Sequence, residues 1–348
     1  MDSMQEVYLM TGLVVAGLTL LVIILAGWTW RRGAKAKAEL AAKYPPPGRL
    51  VDVGGYRLHI NCQGATVAGS PTVVIEPGNG DFSLCWSHVQ REAAKFTRVC
   101  TYDRAGLGWS ERSPQPRTAH NLVEGLHALL ARSGVEPPYV LVGHSVGGPL
   151  VRLYAHEHPD QVAGMVLVDP AHEEELLRYP EAVRRLQPSA DKMMAGVLRL
   201  MQTAITTGAF ALAPRLYPRQ ALSMVPEEAR ETYRGIMSAD TKDLAAIREE
   251  YATYQDHFAA VRAAHITSLG DIPLIVLSHG KTPPMPGLSA EVSRELNQVF
   301  QQMHIELAAQ SSRGKRIIAE KSGHYIQLDQ PELVIDAIRE VVEAARRR

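Results

Sequence analysis

A serine at position 145 lies in Gly143-His144-Ser145-Val146-Gly147. The run before it, Tyr139-Val140-Leu141-Val142, reads as a buried strand, and the run from Gly148 to Tyr154 reads as the start of a helix. This G-x-S-x-G pattern in this setting is that of a tight strand-to-helix turn, which lifts a hydroxyl clear of a sheet. Glycines suit its flanks because side chains would clash where the chain doubles back. A serine hydroxyl is a poor nucleophile at neutral pH and needs a base, itself oriented by a third group. The chemistry implied is acyl transfer through a serine ester, with partners expected in the chain order Ser, acid, His.

The base expected is His324, in Lys321-Ser322-Gly323-His324-Tyr325, directly after a predicted strand at Arg316-Ile317-Ile318-Ala319. For the acid, the loop after the predicted strand 272–277, Ser278-His279-Gly280-Lys281-Thr282, holds no carboxylate. Asp271 precedes that strand and so falls at the wrong edge. Asp169, in Val168-Asp169-Pro170-Ala171, ends a strand on the carboxyl edge, one strand from that of Ser145, and is favoured as the acid. An oxyanion hole needs backbone N–H groups aimed at developing charge. One is expected from Val146. The other is expected from Asn79, in the glycine-rich Glu76-Pro77-Gly78-Asn79-Gly80-Asp81 that follows a predicted strand at 72–75.

The elements that must position these groups alternate along the chain. Leu50–Val53 and Tyr56–Ile60 flank Gly54-Gly55, a hairpin signal. Strands are predicted at 72–75, 98–102, 139–142, 165–168, 272–277 and 316–319, with helices at 86–94, 119–133, 148–158, 288–311 and 332–346. This alternation predicts an α/β fold with a mostly parallel sheet and helices on both faces. From about 171 to 269 the alternation stops and only helical patches remain. That stretch reads as a helical cap over the sheet's carboxyl edge, where ligands bind in open α/β folds.

Composition narrows the partners. Lys plus Arg and Asp plus Glu number 37 each, so no polyanion is implied and nucleic-acid binding is excluded as a reading. Cys62, Cys85 and Cys100 lack metal-site spacing and read as reduced core thiols. His156 and His158 point to different faces of one helix. His172 with Glu173, Glu174 and Glu175 reads as a solvated acidic helix start. No phosphate-binding or dinucleotide glycine motif is present. No metal and no organic cofactor is implied.

From Tyr8 to Trp30 the chain carries no charge and is mostly apolar, long enough as a helix for the ~30 Å hydrocarbon core. Tyr8, Trp28 and Trp30 mark its ends. Residues 1–30 are therefore expected as a single-pass transmembrane anchor. Arg31, Arg32, Lys35 and Lys37 follow it, and the positive-inside rule assigns that flank and the domain beyond to the cytoplasm. Residues 31–48, ending in Pro45-Pro46-Pro47-Gly48, are expected as a stiff spacer. The folded domain is expected over 49–346.

Over about residues 50–346 the chain resembles the α/β-hydrolase superfamily. The elbow at 143–147, the segment Tyr102-Asp103-Arg104-Ala105-Gly106-Leu107-Gly108-Trp109-Ser110 and Ser322-Gly323-His324 carry the resemblance. It implies a serine-hydrolase mechanism with Ser145 as nucleophile and His324 as base, and a structural role for the Asp103–Ser110 segment. The chain departs from many relatives in having Pro77-Gly78-Asn79 where they have His-Gly-x. It also lacks their acid after the strand at 272–277. Asp169-Pro170-Ala171 is similar to the acid-bearing turn of pancreatic-type lipases. Relatives that open epoxides or remove halides carry Asp where Ser145 stands.

The reading is a membrane-anchored serine hydrolase that cleaves carboxylic esters of small molecules, with Asp169 orienting His324. The apolar stretch Met193–Ala213 reads as helix packing over the core, and the sharper alternative is an apolar channel for acyl chains fed from the bilayer. An aminopeptidase of the proline-iminopeptidase type would share the site and need an acidic cap pocket, for which Glu249 and Glu250 are candidates. The reading from another class is a non-catalytic, membrane-tethered binding module.

Overall fold

The structure, a computed structural model, describes residues 19, 20, 24, 27–282 and 287–347. Eight strands form one sheet: β1 (Arg49–Asp52), β2 (Arg57–Gln63), β3 (Thr72–Glu76), β4 (Val99–Tyr102), β5 (Tyr139–His144), β6 (Val162–Val168), β7 (Leu274–His279) and β8 (Gly314–Ala319). Their spatial order is β1-β2-β4-β3-β5-β6-β7-β8. The first pairings, β1 with β2 and β2 with β4, are antiparallel, and the rest of the sheet is parallel. Strands covered on both faces must be apolar throughout. Val73, Val142, Val168 and Leu277 accordingly pack into one core, and Val74, Leu141, Leu167 and Val276 into the other.

The helices in chain order are α1 (27–43), α2 (Ser87–Ala93), α3 (Ala119–Arg132) and α4 (Gly147–Glu157). Between β6 and β7 follow α5 (Glu175–Arg178), α6 (Glu181–Thr206), α7 (Ala209–Leu212), α8 (Arg230–Ala239) and α9 (Lys242–Ala263), with short 3-10 turns and no strand. Then come α10 (Ala290–Ala309), α11 (Ile326–Asp329) and α12 (Pro331–Arg346). Every strand and long helix expected between residues 50 and 346 is present, with ends shifted by a few residues.

The N-terminal expectations fare differently. The span over 8–30 lies largely outside the described residues, and among the described residues no helix is long and apolar enough to cross a membrane. The segment expected as a spacer is instead helical to residue 43 and packed on the helical insertion. A Cβ at Gly33 would lie 2.5 Å from the Thr207 carbonyl oxygen, so only glycine permits this approach. Lys43 and Tyr44 both reach Glu231 of α8 at 2.9 Å. Trp109 Nε1–H donates to the Tyr44 carbonyl at 2.9 Å, and the Pro47 carbonyl accepts from His59 at 2.8 Å.

The cysteine reading is also corrected. Cys62 and Cys100 stand opposite each other in the β2–β4 register, their Cα atoms 4.0 Å apart, and form a disulfide. Only Cys85 is free, and it is buried. Disulfides persist in oxidising compartments, which opposes the cytoplasmic placement expected from the basic flank.

A buried guanidinium ties the sheet to the insertion. Arg104 pairs with Glu76 at the end of β3 and with Glu250 of α9, both at 2.7 Å, and all three side chains are at most 4% exposed. Removing one partner from a buried charge cluster strands the others. Arg104→Met should lose about 3–5 kcal/mol of stability, measured by urea denaturation. Alkylation of the denatured, unreduced protein should modify Cys85 alone.

Candidate active site

The turn after β5 has the strained geometry that its sequence requires. Ser145 adopts φ 52°, a left-handed conformation that L residues rarely hold without compensation. Its N–H donates to the Val168 carbonyl at 3.3 Å, and its own carbonyl accepts from Gly148 and Ala171, both at 2.9 Å. A Cβ at Gly143 would come 2.6 Å from the Gly147 carbonyl, and one at Gly147 would come 2.5 Å from the Glu76 carbonyl. Any side chain there would push the turn off the sheet.

Asp169, one residue beyond β6, is also left-handed, at φ 42°. The β6–β7 register pairs Val168 with Leu277, which puts Asp169 beside Ser278 and His279. The Asp169 carboxylate is 4% exposed and accepts three hydrogen bonds. His324 Nδ1–H reaches Oδ2 at 2.7 Å, while His279 Nδ1–H and backbone N–H reach Oδ1 at 2.7 and 2.9 Å. A carboxylate only accepts, so both rings carry their proton on Nδ1, and Nε2 is the free basic nitrogen of His324. Burial alone would raise the Asp169 pKa, but the His279 and His324 donors hold it well below the usual carboxylate range. For His324, desolvation lowers the pKa, and the hydrogen bond and charge of Asp169 more than offset this, leaving it above 6.5.

The structure therefore brings Ser145, His324 and Asp169 to one edge of the sheet. It brings Asn79 and Val146 there too. Their backbone N–H groups donate to no protein acceptor among the described residues. The loop that carries Asn79 is held from below. Arg104 donates to the Pro77 and Gly78 carbonyls at 2.8 and 2.6 Å, and Gly80 N–H donates to Glu250 at 2.7 Å. Asp103 is buried under that loop with His59 at 2.9 Å, and it accepts from Ser83 N–H at 2.9 Å, a structural role.

Two cavities of about 340 Å³ each meet at Ser145 and His324. One has walls of mixed character, with polar groups from Asn79, Glu175, Gln187, Asp191 and Tyr251. The other is walled chiefly by Pro170, Ala171, Tyr179, Leu296 and Phe300, and neither cavity takes a wall from Met193–Ala213, the stretch considered for an acyl-chain channel. Glu249 and Glu250 of the insertion are not available to a substrate amine. Glu250 is consumed by Arg104, Arg117 and Gly80, and Glu249 by Arg112 and Arg117. The acidic run after Asp169 is not a solvated helix start either. His172, Glu173 and Glu175 are buried, with Glu173 paired to Arg152 at 2.6 Å and Glu175 accepting from Tyr254 at 2.9 Å.

Two residues here escaped the sequence reading. His279 occupies the strand end that was searched for a carboxylate, and it serves the carboxylate next door. His304 of α10 accepts from the Ser278 hydroxyl and donates Nε2–H to the Pro170 carbonyl, both at 2.9 Å, which fixes the turn that carries Asp169. Burial pushes its pKa down to about 4, so it stays neutral in this role.

The shared carboxylate generates a prediction. With His279→Ala, Asp169 loses a donor and its charge acts more fully on His324, so the acid limb of the kcat/KM profile should move to higher pH. The rate should fall about tenfold as the carboxylate loses its orientation. His279→Asn returns an N–H near the same place and should restore both. An unchanged profile in the alanine variant would reduce His279 to packing.

Comparison with known proteins agrees with this geometry. Residues 73–337 match the family model described as "Alpha/beta hydrolase family". The probable transporter efuK of Hormonema carpetanum is 28% identical over 84% of this chain, which spans only 42% of that protein. The uncharacterized protein YqjL of Bacillus subtilis is 28% identical, over 79% of this chain and 84% of its own. Among solved structures, a probable hydrolytic enzyme from Pseudomonas aeruginosa superposes with a TM-score of 0.62 at 21% identity, covering 86% of this chain and 95% of that one. With its sheet order, its left-handed serine turn and a family match over most of its length, the chain belongs to the alpha/beta hydrolase family.

Proposed function

We propose that the protein is a membrane-anchored serine hydrolase that cleaves carboxylic esters through an acyl-enzyme. The observation that carries this reading is the 2.7 Å bond from His324 Nδ1–H to a buried carboxylate, in a histidine that shares its cavities with Ser145. Ser145 Oγ attacks the ester carbonyl while its proton passes to His324 Nε2. The carbonyl oxygen gains the electron pair and sits against the Asn79 and Val146 N–H groups. Collapse breaks the C–O bond, and His324 gives its proton to the departing alcohol. Water then attacks the acyl-serine, its proton passing to His324 and on to Ser145 Oγ as the acid leaves. Asp169 keeps the imidazole in the required tautomer and stabilises its cation.

The two cavities divide the substrate. The apolar one suits an alkyl or acyl chain, and the polar one suits a hydrogen-bonding portion. Glu249 and Glu250, the acids considered for an aminopeptidase, are already paired with arginines. The membrane anchor is part of the same proposal and is supported by the charge-free run from Tyr8 to Trp30.

A fluorophosphonate probe should label Ser145, and Ser145→Ala should lower ester turnover by roughly 10⁴-fold or more. Full activity in that variant would end the serine assignment, and a folded protein that never labels would favour the binding module. Because His324 must be neutral to act, activity should be lost as pH falls through a pKa above 6.5. Asp169→Asn should shift that limb downward as turnover drops.

A further inference from the structure

The longest helix of the insertion, α6, has two functional faces. On the inner face, Val183, Leu198 and Ile205 are buried, and Gln187 and Asp191 line the polar cavity at Ser145. On the outer face, Leu186, Met193, Val197 and Leu200 follow one another at spacings of seven, four and three residues. Such spacings fall on one stripe of a helix. These four side chains are 40%, 69%, 48% and 73% exposed. A contiguous exposed apolar stripe marks a surface that meets something. Arg185, Lys192 and Arg199, each seven residues apart and exposed, run along one side of it.

The structure also shows what lies next to this stripe. The end of α6 meets α1, where Gly208 and Gly33 are in backbone contact and Lys37 Nζ donates to the Thr206 carbonyl at 3.3 Å. On the other side of that contact, α1 exposes Trp28 and Trp30 (54% and 55%) and leads back into the charge-free N-terminal run. The helix that bears the stripe thus meets, at its end, the helix that leads into the segment proposed to enter a bilayer. An apolar stripe with a basic border is the composition of a helix lying in the headgroup layer of an anionic membrane. A second copy packed antiparallel on the same stripe would set like charges of the two basic rows against each other.

We infer that the outer face of α6 rests on the lipid surface, so that one helix contacts both the membrane and the catalytic cavity. This rests on the proposed anchor and assigns the substrate class, an amphiphilic ester taken from the lipid layer rather than from water.

The test uses the full chain with Met193→Cys, labelled with an environment-sensitive NBD fluorophore in vesicles of phosphatidylcholine and phosphatidylglycerol. Cys62 and Cys100 are joined and Cys85 is buried, so the label goes to the new thiol. Blue-shifted emission, quenched by nitroxide-bearing lipids, is expected there, with water-like emission from an Asp336→Cys control on α12. Water-like, unquenched emission at position 193 overturns the inference. So does blue-shifted emission that lipid does not quench and that grows with protein-to-lipid ratio, which identifies a second copy as the occupant. An alkaline carbonate wash reports on the anchor separately. If the wash strips the chain, the anchor reading falls, and quenching before the wash still decides for or against the α6 contact. In activity, Met193→Glu with Leu200→Glu should raise KM roughly tenfold for a long-chain ester dispersed in vesicles. It should leave a short soluble ester unchanged. Equal effects on both substrates would count against the lipid route.

Discussion

Arg104 is the constraint on which the site is built. A guanidinium taken fully out of water is tolerated only where its donors are met. Here they are met by Glu76 from the sheet, Glu250 from the insertion and the carbonyls of Pro77 and Gly78. Those two carbonyls belong to the loop whose next N–H, that of Asn79, is free to face a substrate oxygen. Glu250 completes the arrangement by accepting from Gly80, on the other side of Asn79. Sheet, loop and insertion therefore share one electrostatic centre, and the Asn79 amide proposed to meet the substrate oxygen is held between two fixed points.

Asp169 plays the corresponding part on the other side of Ser145. Its carboxylate is buried, which would favour the neutral acid, and it stays ionised because two histidines donate to it. The parallel register of β6 and β7 makes this possible by bringing His279 level with Asp169. His304 then holds the Pro170 carbonyl, so the left-handed turn is fixed from a second direction. Two strained residues, Ser145 and Asp169, lie at adjacent strand ends, and Ser145 is bonded through Val168 and Ala171 to the turn that carries Asp169. This is the rigid support that the proposed acyl-transfer chemistry needs.

The sheet was legible because buried parallel strands are nearly continuous runs of Val, Leu and Ile, as in Val140–Val142 and Met165–Val168. The serine turn was legible because its glycines are demanded by backbone clashes that any sequence must obey. His324 and Asp169 followed from chain order and strand ends. What stayed hidden depends on contacts between distant segments. His279 looked like a loop residue where an acid was missing, since only register shows that it meets Asp169. The Cys62–Cys100 bond needs the β2–β4 pairing, which a cysteine count does not contain. The acidic run at Glu173–Glu175 looked solvated because Arg152 and Tyr254, its partners, lie on other helices. Basic character and prolines suggested a stiff spacer over 31–48, whereas Gly33 in α1 and Tyr44 just after it are contact residues of a docked segment.

The bond between Glu250 and Arg104 has a mechanical consequence. Because α9 carries Glu250, lifting it from the sheet would leave charges of both signs unpaired in a dry interior, so that half of the insertion behaves as a fixed wall. The same is not true of α6, whose inner face meets the cavity through Gln187 and Asp191 and whose ion pairs are exposed. The site is thereby bounded on the α9 side by a wall that charge pairing holds in place, whereas on the α6 side it is bounded by side chains that carry no buried ion pair.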